Sequence, residues 1–289
     1  MAIILVTGAD GQLGNELRLV SKNYYGYDFV FTDKDNLDLT DPKKVRESID
    51  TIKPGWIINC AAYTQVDRAE NEYAPAMRIN ADSVRNITDA IKETATRLIH
   101  ISTDYVYEGT ACIPYNETST PNPLSVYGRS KLEGEKNALL YPASLIIRTS
   151  WLYSSFGNNF LKTILKKGRD TENLNVVFDQ TGSPTYAADL ASAIMHIVSG
   201  VIRNQFAFKS GVYNYSDEGV CSWFDFAREI IKEAGYKCRI SPILSKDFPQ
   251  VAKRPSYAVM DKSKIKDDFK LEIPHWRDSL LRCMKLIEY

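Results

Sequence analysis

Short apolar runs alternate with segments of helical periodicity along the first half of the chain. The runs predict strands buried on both faces, as in a parallel sheet, and the segments between them predict helices. Asp41 followed by Pro42 indicates one helix start, because aspartate is a favoured N-cap and proline fits the first helical turn. We predict strands at residues 3–6, 29–32, 56–62, 97–102 and 143–148, with a short one before Asp38, and helices at 15–22, after 42, 75–94 and 126–140.

This alternation predicts an α/β protein with a doubly wound parallel sheet, the Rossmann arrangement, because right-handed crossovers place helices on both faces. After Ser150 the alternation loosens into irregular runs rich in Trp, Phe, Asn and Pro. These runs predict a smaller C-terminal α/β lobe that supplies substrate contacts. We expect the sheet domain to comprise residues 1–149 together with 175–200, and the substrate-binding lobe to comprise residues 150–174 and 201–289.

Three glycines, Gly8, Gly11 and Gly14, follow the first predicted strand and open the first predicted helix. In this context they are typical of a dinucleotide-binding turn. The first permits the tight turn, the second lets backbone approach the pyrophosphate, and the third allows close packing of helix on strand. The helix N-terminus then offers free N–H groups to phosphate. The sheet domain is therefore predicted to bind a dinucleotide, with a generic strand–helix turn as the alternative.

The residues after the second predicted strand bear on the choice of dinucleotide. Asp33 lies ~20 residues after the glycines, where an acid bonds the ribose hydroxyls of NAD. Lys34 follows it, and a cation there could instead accept the extra phosphate of NADP. The choice between NADH and NADPH therefore stays open. Asp38 and Leu39 are placed to contact the adenine, although Asp38 could equally be a plain acid leading a helix.

Charge and cysteine usage exclude several classes of protein. The chain has 36 basic and 36 acidic residues, so nothing predicts a nucleic-acid or membrane-surface partner. Its five cysteines and three histidines are scattered, which predicts no disulfide frame and no metal site, and favours a reducing compartment. The apolar N-terminal run is too short for a signal peptide, and no stretch approaches the ~20 apolar residues of a membrane span. We expect a cytoplasmic protein.

Tyr127 and Lys131 stand four positions apart on a predicted helix, so their side chains share a face. A solvated helix surface is the alternative, because this spacing alone is a weak signal. Thr103 ends an earlier strand, at the edge where open α/β sheets bind ligands. Together the three residues predict a carbonyl reduction site. Tyr127 would protonate the oxygen, Thr103 would hold it, and Lys131 would lower the tyrosine pKa and anchor the cofactor ribose.

The segments G-A-D-G-Q-L-G, N-C-A-A-Y-T-Q-V-D-R-A-E, S-T-D-Y-V-Y, Y-G-R-S-K and F-D-Q-T-G-S-P-T resemble those of the extended short-chain dehydrogenases/reductases. More narrowly, they are similar to the dTDP-4-dehydrorhamnose reductases. The resemblance implies NAD(P)H-dependent reduction of the 4-keto group of dTDP-4-dehydro-L-rhamnose to dTDP-L-rhamnose. The alternatives are another nucleotide-linked 4-keto-6-deoxy sugar or a non-catalytic dinucleotide-binding regulatory subunit. The presence of Thr103, Tyr127 and Lys131 disfavours the regulatory subunit.

The same resemblance implies roles for further residues, whereas the oligomeric state stays open between a monomer and a homodimer. Trp151 would pack against the substrate, with a core position as the alternative, and Arg254 would bind the diphosphate, with a structural ion pair as the alternative. The family usually has an Asn-Ser-like pair where this chain has Tyr257 and Ala258. The remaining implied contacts are Gly11, Gln12 and Leu13 with the cofactor phosphates, Ala62, Tyr63 and Thr64 with its ribose and nicotinamide, and Thr103 and Asp104 with the sugar.

Overall fold

A six-stranded sheet forms the centre of the computed structural model, which describes residues 2–289. The strands are β1 (Ala2–Thr7), β2 (Tyr27–Thr32), β3 (Trp56–Asn59), β4 (Arg97–Thr103), β5 (Ser144–Thr149), β6 (Leu152–Tyr153), β7 (Asn173–Val177), β8 (Thr181–Gly182), β9 (Thr185–Tyr186), β10 (Gly211–Tyr215), β11 (Cys221–Ser222) and β12 (Arg239–Ile243). The helices are α1 (Gln12–Ser21), α2 (Pro42–Ile52), α3 (Val66–Ala69), α4 (Tyr73–Met77), α5 (Ser83–Ile91), α6 (Val126–Leu139), α7 (Phe160–Asp170), α8 (Ala187–Ile202), α9 (Trp223–Glu233), α10 (Ser263–Phe269) and α11 (Trp276–Met284). A π-helical turn, Arg78–Asp82, joins α4 to α5, and 3-10 turns lie at Asp104–Val106 and Ser245–Asp247.

The large sheet has the strand order β2-β1-β3-β4-β5-β10, and every neighbouring pair is parallel. The chain leaves β1 for β2 on one side and continues with β3 on the other side. The carboxyl ends of β1 and β3 therefore flank the switch point, where open parallel sheets bind their ligands. The predicted doubly wound fold is confirmed.

Helices cover both faces of this sheet because its strands are apolar on both sides. In β1, Ile4 and Val6 belong to the apolar cluster that includes α1 and α8, whereas Leu5 belongs to the cluster that includes α2 and α5. This alternation follows from the two-residue period of a strand. The large domain is thus a three-layer sandwich with a core on each face of the sheet.

A separate apolar cluster forms the core of the smaller lobe. It joins α7, α9 and α11 through residues such as Leu161, Phe226 and Leu280, each of which is fully buried. Two short strands, β7 and β12, pair in parallel beside these helices. The lobe therefore has its own α/β core, as predicted for the C-terminal part of the chain.

The boundaries between domain and lobe differ from the predicted ones in two places. Strand β10, within the range 201–289 that we assigned to the lobe, is an edge strand of the large sheet. Residues 175–186, which we assigned to the sheet domain, instead contribute β8, β9 and part of β7 outside that sheet, and only α8 packs on it. The partner of β10 is β5, which lies far earlier in the chain, so local sequence pattern does not show the pairing.

Two local predictions are also wrong. Residues 33–41 form turns, not a short third strand, because the Asp38 carboxylate accepts hydrogen bonds from the Thr40 N–H and hydroxyl. Such side-chain bonds compete with strand pairing. The single helix predicted at residues 75–94 is divided by the π-helical turn. None of the helices within residues 2–289 has the length and apolar character that crossing a membrane requires.

Candidate active site

The glycine turn after β1 forms a cradle at the switch point of the sheet. Gly8 has φ of +65°, and a Cβ there would lie 2.6 Å from the Ala61 nitrogen. A Cβ at Gly14 would lie 2.5 Å from the Ala9 Cα. A side chain at either position would therefore collide with backbone. Gly11 is the N-cap of α1 and brings no side chain to that end of the helix, so the first N–H groups of α1 can face an anion.

The next two residues of the turn lie at the start of α1. Leu13 is buried in the core, and only its backbone belongs to the turn. The Gln12 side chain accepts a hydrogen bond of 2.9 Å from the Asn159 amide, at the N-terminus of α7. Asn159 thus joins the smaller lobe to the phosphate-binding turn. We did not predict Asn159 as a site residue, because the sequence suggests only an N-cap for a polar residue before a helix. Asn159 is indeed the N-cap of α7.

The acidic residues after β2 have different surroundings. Asp33 lies beside the glycine turn and accepts a 2.9 Å hydrogen bond from the Asp10 N–H, where a ribose-binding acid is expected. The Asp38 carboxylate is used within its own turn by Thr40. The Leu39 side chain is buried in the core beside α2. A contact of Asp38 or Leu39 with adenine stays a prediction.

The loop after β3 carries Ala62, Tyr63 and Thr64 toward α6. The Tyr63 N–H donates to the Asn80 side chain at 2.8 Å. The Tyr63 ring belongs to the same small apolar cluster as Tyr127 of α6. The loop and the predicted acid therefore lie on the same side of the sheet edge.

The structure brings Thr103, Asp104 and Tyr127 together at the carboxyl end of β4. Ser125 caps α6, which fixes the helix start at Val126, directly before Tyr127. Thr103 lies close enough to the Tyr127 phenol to oppose the rise in that phenol's pKa, and the Thr103 hydroxyl donates to Asp104 Oδ1 at 3.0 Å. The Tyr105 ring meets the Tyr127 ring edge-on, with 5.4 Å between centroids. The phenol is thus held against the strand end, where a ligand carbonyl could reach it.

Lys131 lies one helical turn after Tyr127 and is almost completely buried. Its ammonium donates to the Ile101 carbonyl of β4 at 2.6 Å. Burial lowers the pKa of Lys131 to about 8, although the Glu135 carboxylate and Cys60 oppose this. At neutral pH the side chain is therefore still mostly charged, but only by a narrow margin.

The pKa of Tyr127 differs from our prediction. Burial raises it to about 12, against the opposing effect of the nearby Thr103 side chain. The lowering expected from Lys131 is not seen, since its ammonium is directed at the Ile101 carbonyl. Tyr127 therefore keeps its proton at neutral pH, which is the form that a proton donor needs.

Trp151 lies just past β5, whose last residue Thr149 is the register partner of Thr103. Its backbone has a left-handed φ of +48°. Its indole is only partly buried and stacks on Trp223, with 3.6 Å between centroids and 9° between planes. One face of Trp151 therefore packs on the lobe, while part of the ring stays accessible, and its contact with the substrate stays a prediction.

Arg254 is held in an ion pair. Its guanidinium donates to the Asp67 carboxylate at 2.7 Å and to the Gln250 side chain at 2.8 Å. It also lies close enough to Tyr105 to lower that phenol's pKa, although burial dominates and raises it. The ion-pair alternative is therefore present. Arg254 nonetheless lies near Tyr127, since Tyr105 stands between them and is close to both.

Comparison with known proteins places these features in a family. The RmlD substrate binding domain family matches residues 1–288. The chain belongs to this family. It is 39% identical, over 97% of both chains, to the dTDP-4-dehydrorhamnose reductase of Aggregatibacter actinomycetemcomitans. It is 36% identical, over 97% of this chain and 96% of the relative, to the spore coat polysaccharide biosynthesis protein SpsK of Bacillus subtilis.

A solved structure agrees with this assignment. The dTDP-4-dehydrorhamnose reductase of Bacillus anthracis, in complex with NADP, superposes on this RmlD family member with a TM-score of 0.93. The two are 38% identical, and the match covers 99% of each chain. The resemblance inferred from the motifs is therefore confirmed at the level of the family.

One residue that supports the site of this RmlD family member was not predicted. Asn80 lies in the π-helical turn and is completely buried. Besides accepting from Tyr63, its amide donates to the Ser130 hydroxyl at 2.9 Å, between Tyr127 and Lys131 on α6. Such turns are frequent at functional sites. The only sequence signal was an asparagine at an otherwise apolar position of a predicted helix.

A buried ion pair supports α6 from behind and was also missed. Glu135 and Arg148 are both nearly inaccessible, and two guanidinium N–H groups donate to the carboxylate at 2.8 and 2.6 Å. The Ser102 hydroxyl donates to the same carboxylate. The arrangement joins α6 to β4 and β5. Glu135 follows Lys131 by four residues, so its helical spacing was visible in the sequence, whereas its partner on β5 was not.

Proposed function

We propose that this protein reduces the 4-keto group of dTDP-4-dehydro-L-rhamnose with NADPH or NADH, giving dTDP-L-rhamnose. The observation that carries the proposal is the protonated Tyr127 phenol beside Thr103 at the carboxyl end of β4, with Lys131 one helical turn further on. Membership of the RmlD family and identity to named dTDP-4-dehydrorhamnose reductases support the substrate. The five free cysteines and a biosynthetic role fit action in the cytoplasm.

The residues around the glycine turn fit a nicotinamide dinucleotide. Gly8 and Gly14 keep the cradle free of side chains, and the first N–H groups of α1 would hold the pyrophosphate. Asp33 would accept from the adenosine ribose, and Lys34, which is exposed beside it, would accommodate a 2′-phosphate. The relative solved with NADP favours NADPH as the first cofactor to test. When bound, the reduced cofactor supplies hydride to the carbonyl carbon.

Residues of the protein would then bind and protonate the carbonyl oxygen of the substrate. Thr103 would hold the carbonyl oxygen by a hydrogen bond, and Tyr127 would give its proton to that oxygen as negative charge develops there. Lys131 would bond the nicotinamide ribose and place a positive charge near the resulting phenolate. Because burial leaves its pKa at about 8, Lys131 would lose this charge in mildly alkaline solution. We expect kcat to fall as the pH rises above that value.

The lobe and the rim of the cleft would bind the rest of the substrate. Trp151 would pack against the sugar, and Asp104 would contact the sugar beside Thr103. Arg254 would bind the diphosphate, since a guanidinium suits bidentate contact with phosphate oxygens. In that role Arg254 would exchange some of its bonding with Asp67 for the substrate.

The experiment follows NADPH oxidation with dTDP-4-dehydro-L-rhamnose, using the wild type and Tyr127→Phe. Loss of the acid should cut kcat by roughly 10²-fold or more while NADPH affinity persists. Tyr141→Phe, just beyond the far end of α6, is the matched control and should keep its activity. A panel of UDP- and GDP-linked 4-keto sugars tests the alternative substrates. Full activity of Tyr127→Phe would remove the tyrosine from the mechanism. If the wild type oxidised NADPH with none of these sugars, the proposal of a reductase would be refuted.

A further inference from the structure

The strongest unexplained feature near the site is the conformation of Trp151. Apart from Trp151, three non-glycine residues within 2–289 have a positive φ, and each of them follows a helix. Trp151 instead follows β5, at the carboxyl ends of the strands of the large sheet. A bulky residue persists in this region only where its surroundings impose it, and such positions cluster at ligand-binding sites. The surroundings of Trp151 therefore bear on its role.

Two residues of the lobe enclose the indole. On one side Trp223 stacks on it in nearly parallel planes. On another side Gly182 leaves space, because a Cβ there would lie 2.8 Å from the indole Cε2 and 2.9 Å from Cζ2. Even an alanine at position 182 would therefore displace the ring. We call Gly182, Trp151 and Trp223 the tryptophan clamp.

The two walls of the clamp are parts of one local unit. Gly182 of β8 pairs with Cys221 of β11, and Trp223 follows directly as the first residue of α9. Ser222 between them closes a capping box with Asp225, which fixes the start of α9. Phe160 of α7 packs against Trp223, with 4.5 Å between ring centroids. The spacing of the walls is therefore set by the lobe rather than by Trp151.

Hydrogen bonds also fix the backbone on both sides of Trp151. The Ser150 hydroxyl donates to the Ser183 carbonyl at 2.7 Å, and the Thr185 N–H donates to the Trp151 carbonyl at 3.3 Å. Ser150 and Trp151 are thus both hydrogen-bonded to the segment that follows Gly182. Side chain and backbone are both held, yet part of the indole remains accessible.

We propose that Trp223 is a positioning residue for the nucleotide sugar: with Gly182 it holds Trp151 in the one orientation that forms the wall of the sugar pocket. This inference rests on the proposed function, because it assumes that the sugar meets Trp151. Trp223 would act on the sugar through Trp151, on which it stacks. Its effect is on binding of the sugar and not on binding of the dinucleotide, whose cradle lies at β1.

The test compares steady-state kinetics of Trp223→Ala, Trp223→Phe and the wild type with dTDP-4-dehydro-L-rhamnose and NADPH. Loss of the stacked ring should raise KM for the sugar about tenfold, the scale of an aromatic pair. The KM for NADPH and kcat should stay within about twofold, as expected when only uniform substrate binding is lost. Trp223→Phe keeps an aromatic face and should recover most of the affinity.

Trp276→Phe is the control, since this tryptophan also starts a helix of the lobe but packs on Phe226 and not on Trp151. It should change thermal stability without a selective rise in KM for the sugar. Gly182→Ala provides a second route, because it displaces Trp151 and leaves Trp223 in place. A wild-type sugar KM in folded Trp223→Ala or in folded Gly182→Ala would overturn the clamp alone. An inactive wild type would instead overturn the proposed function, and the clamp with it.

Discussion

Asp104 places a carboxyl where it cannot be well solvated. It is 2% exposed, and its Oδ2 has no hydrogen-bond partner among residues 2–289. Burial raises its pKa from 3.8 to about 7, although the hydrogen bond from Thr103 opposes the change. Since the folded pKa lies above the unfolded one, the folded protein binds the additional proton between these two values. The stability that this proton contributes is lost as the pH rises through about 7.

Asp104→Asn removes this titration. Relative to the wild type, we expect the variant to gain about 2 to 3 kcal/mol in free energy of unfolding between pH 5 and pH 8. Urea denaturation at the two pH values measures the difference, and comparison with the wild type cancels other titrating groups. Asp50→Asn, at an exposed position of α2, is the control and should show no such trend. Parallel pH dependences for Asp104→Asn and wild type would contradict the buried titration.

At the scale of elements, α6 carries the chemistry on the face that it turns to the sheet. Tyr127, Lys131 and Glu135 follow one another at four-residue spacing, so the helix period alone aligns them. Glu135 and Arg148 then tie this face to β5. Because both charges are buried, the pair itself contributes little net stability, but either partner alone is costly.

Glu135→Gln should therefore destabilise the protein by about 3–5 kcal/mol, since Arg148 keeps a buried charge without its carboxylate. The double variant Glu135→Leu with Arg148→Met removes both charges and keeps apolar volume, so it should recover most of this loss. Urea unfolding of the three proteins measures the difference. A double variant no more stable than Glu135→Gln would show that the pair adds stability beyond mutual neutralisation.

The elements also show what the sequence could reveal. The glycine turn, the Asp41 cap of α2 and the Tyr127–Lys131 spacing were predictable because each depends on local backbone geometry. Asn80 was missed because nothing local distinguishes a π-helical turn from regular helix. Strand β10 and the partner of Glu135 were missed because they depend on pairing between distant segments. The pKa of Tyr127 was mispredicted because it depends on burial, which a motif does not convey.

At the scale of the whole molecule, Asp67 joins the C-terminal part of the chain to the sheet domain. It lies on α3, and its carboxylate accepts from the Val251 N–H at 3.2 Å, the Ala252 N–H at 2.9 Å and Arg254. The segment so held follows the 3-10 turn of the lobe and brings Arg254 beside Tyr105. The Asp67 side chain thus anchors the segment that contains Arg254, the residue proposed to bind the diphosphate.

Asp67→Ala should release this segment without unfolding the protein. The ion pair is partly exposed, so the thermal midpoint should change little, but loss of three hydrogen bonds should raise local opening by roughly tenfold or more. Limited trypsin digestion measures this, because Lys253 is exposed within the segment and cleavage follows the open population. Asp67→Asn keeps an acceptor for the two backbone N–H groups and should give an intermediate rate, and Asp50→Ala should match the wild type. Equal cleavage at Lys253 in Asp67→Ala and wild type would mean that the segment is held by its apolar packing, with Ala252 buried beneath it, and not by the Asp67 carboxylate.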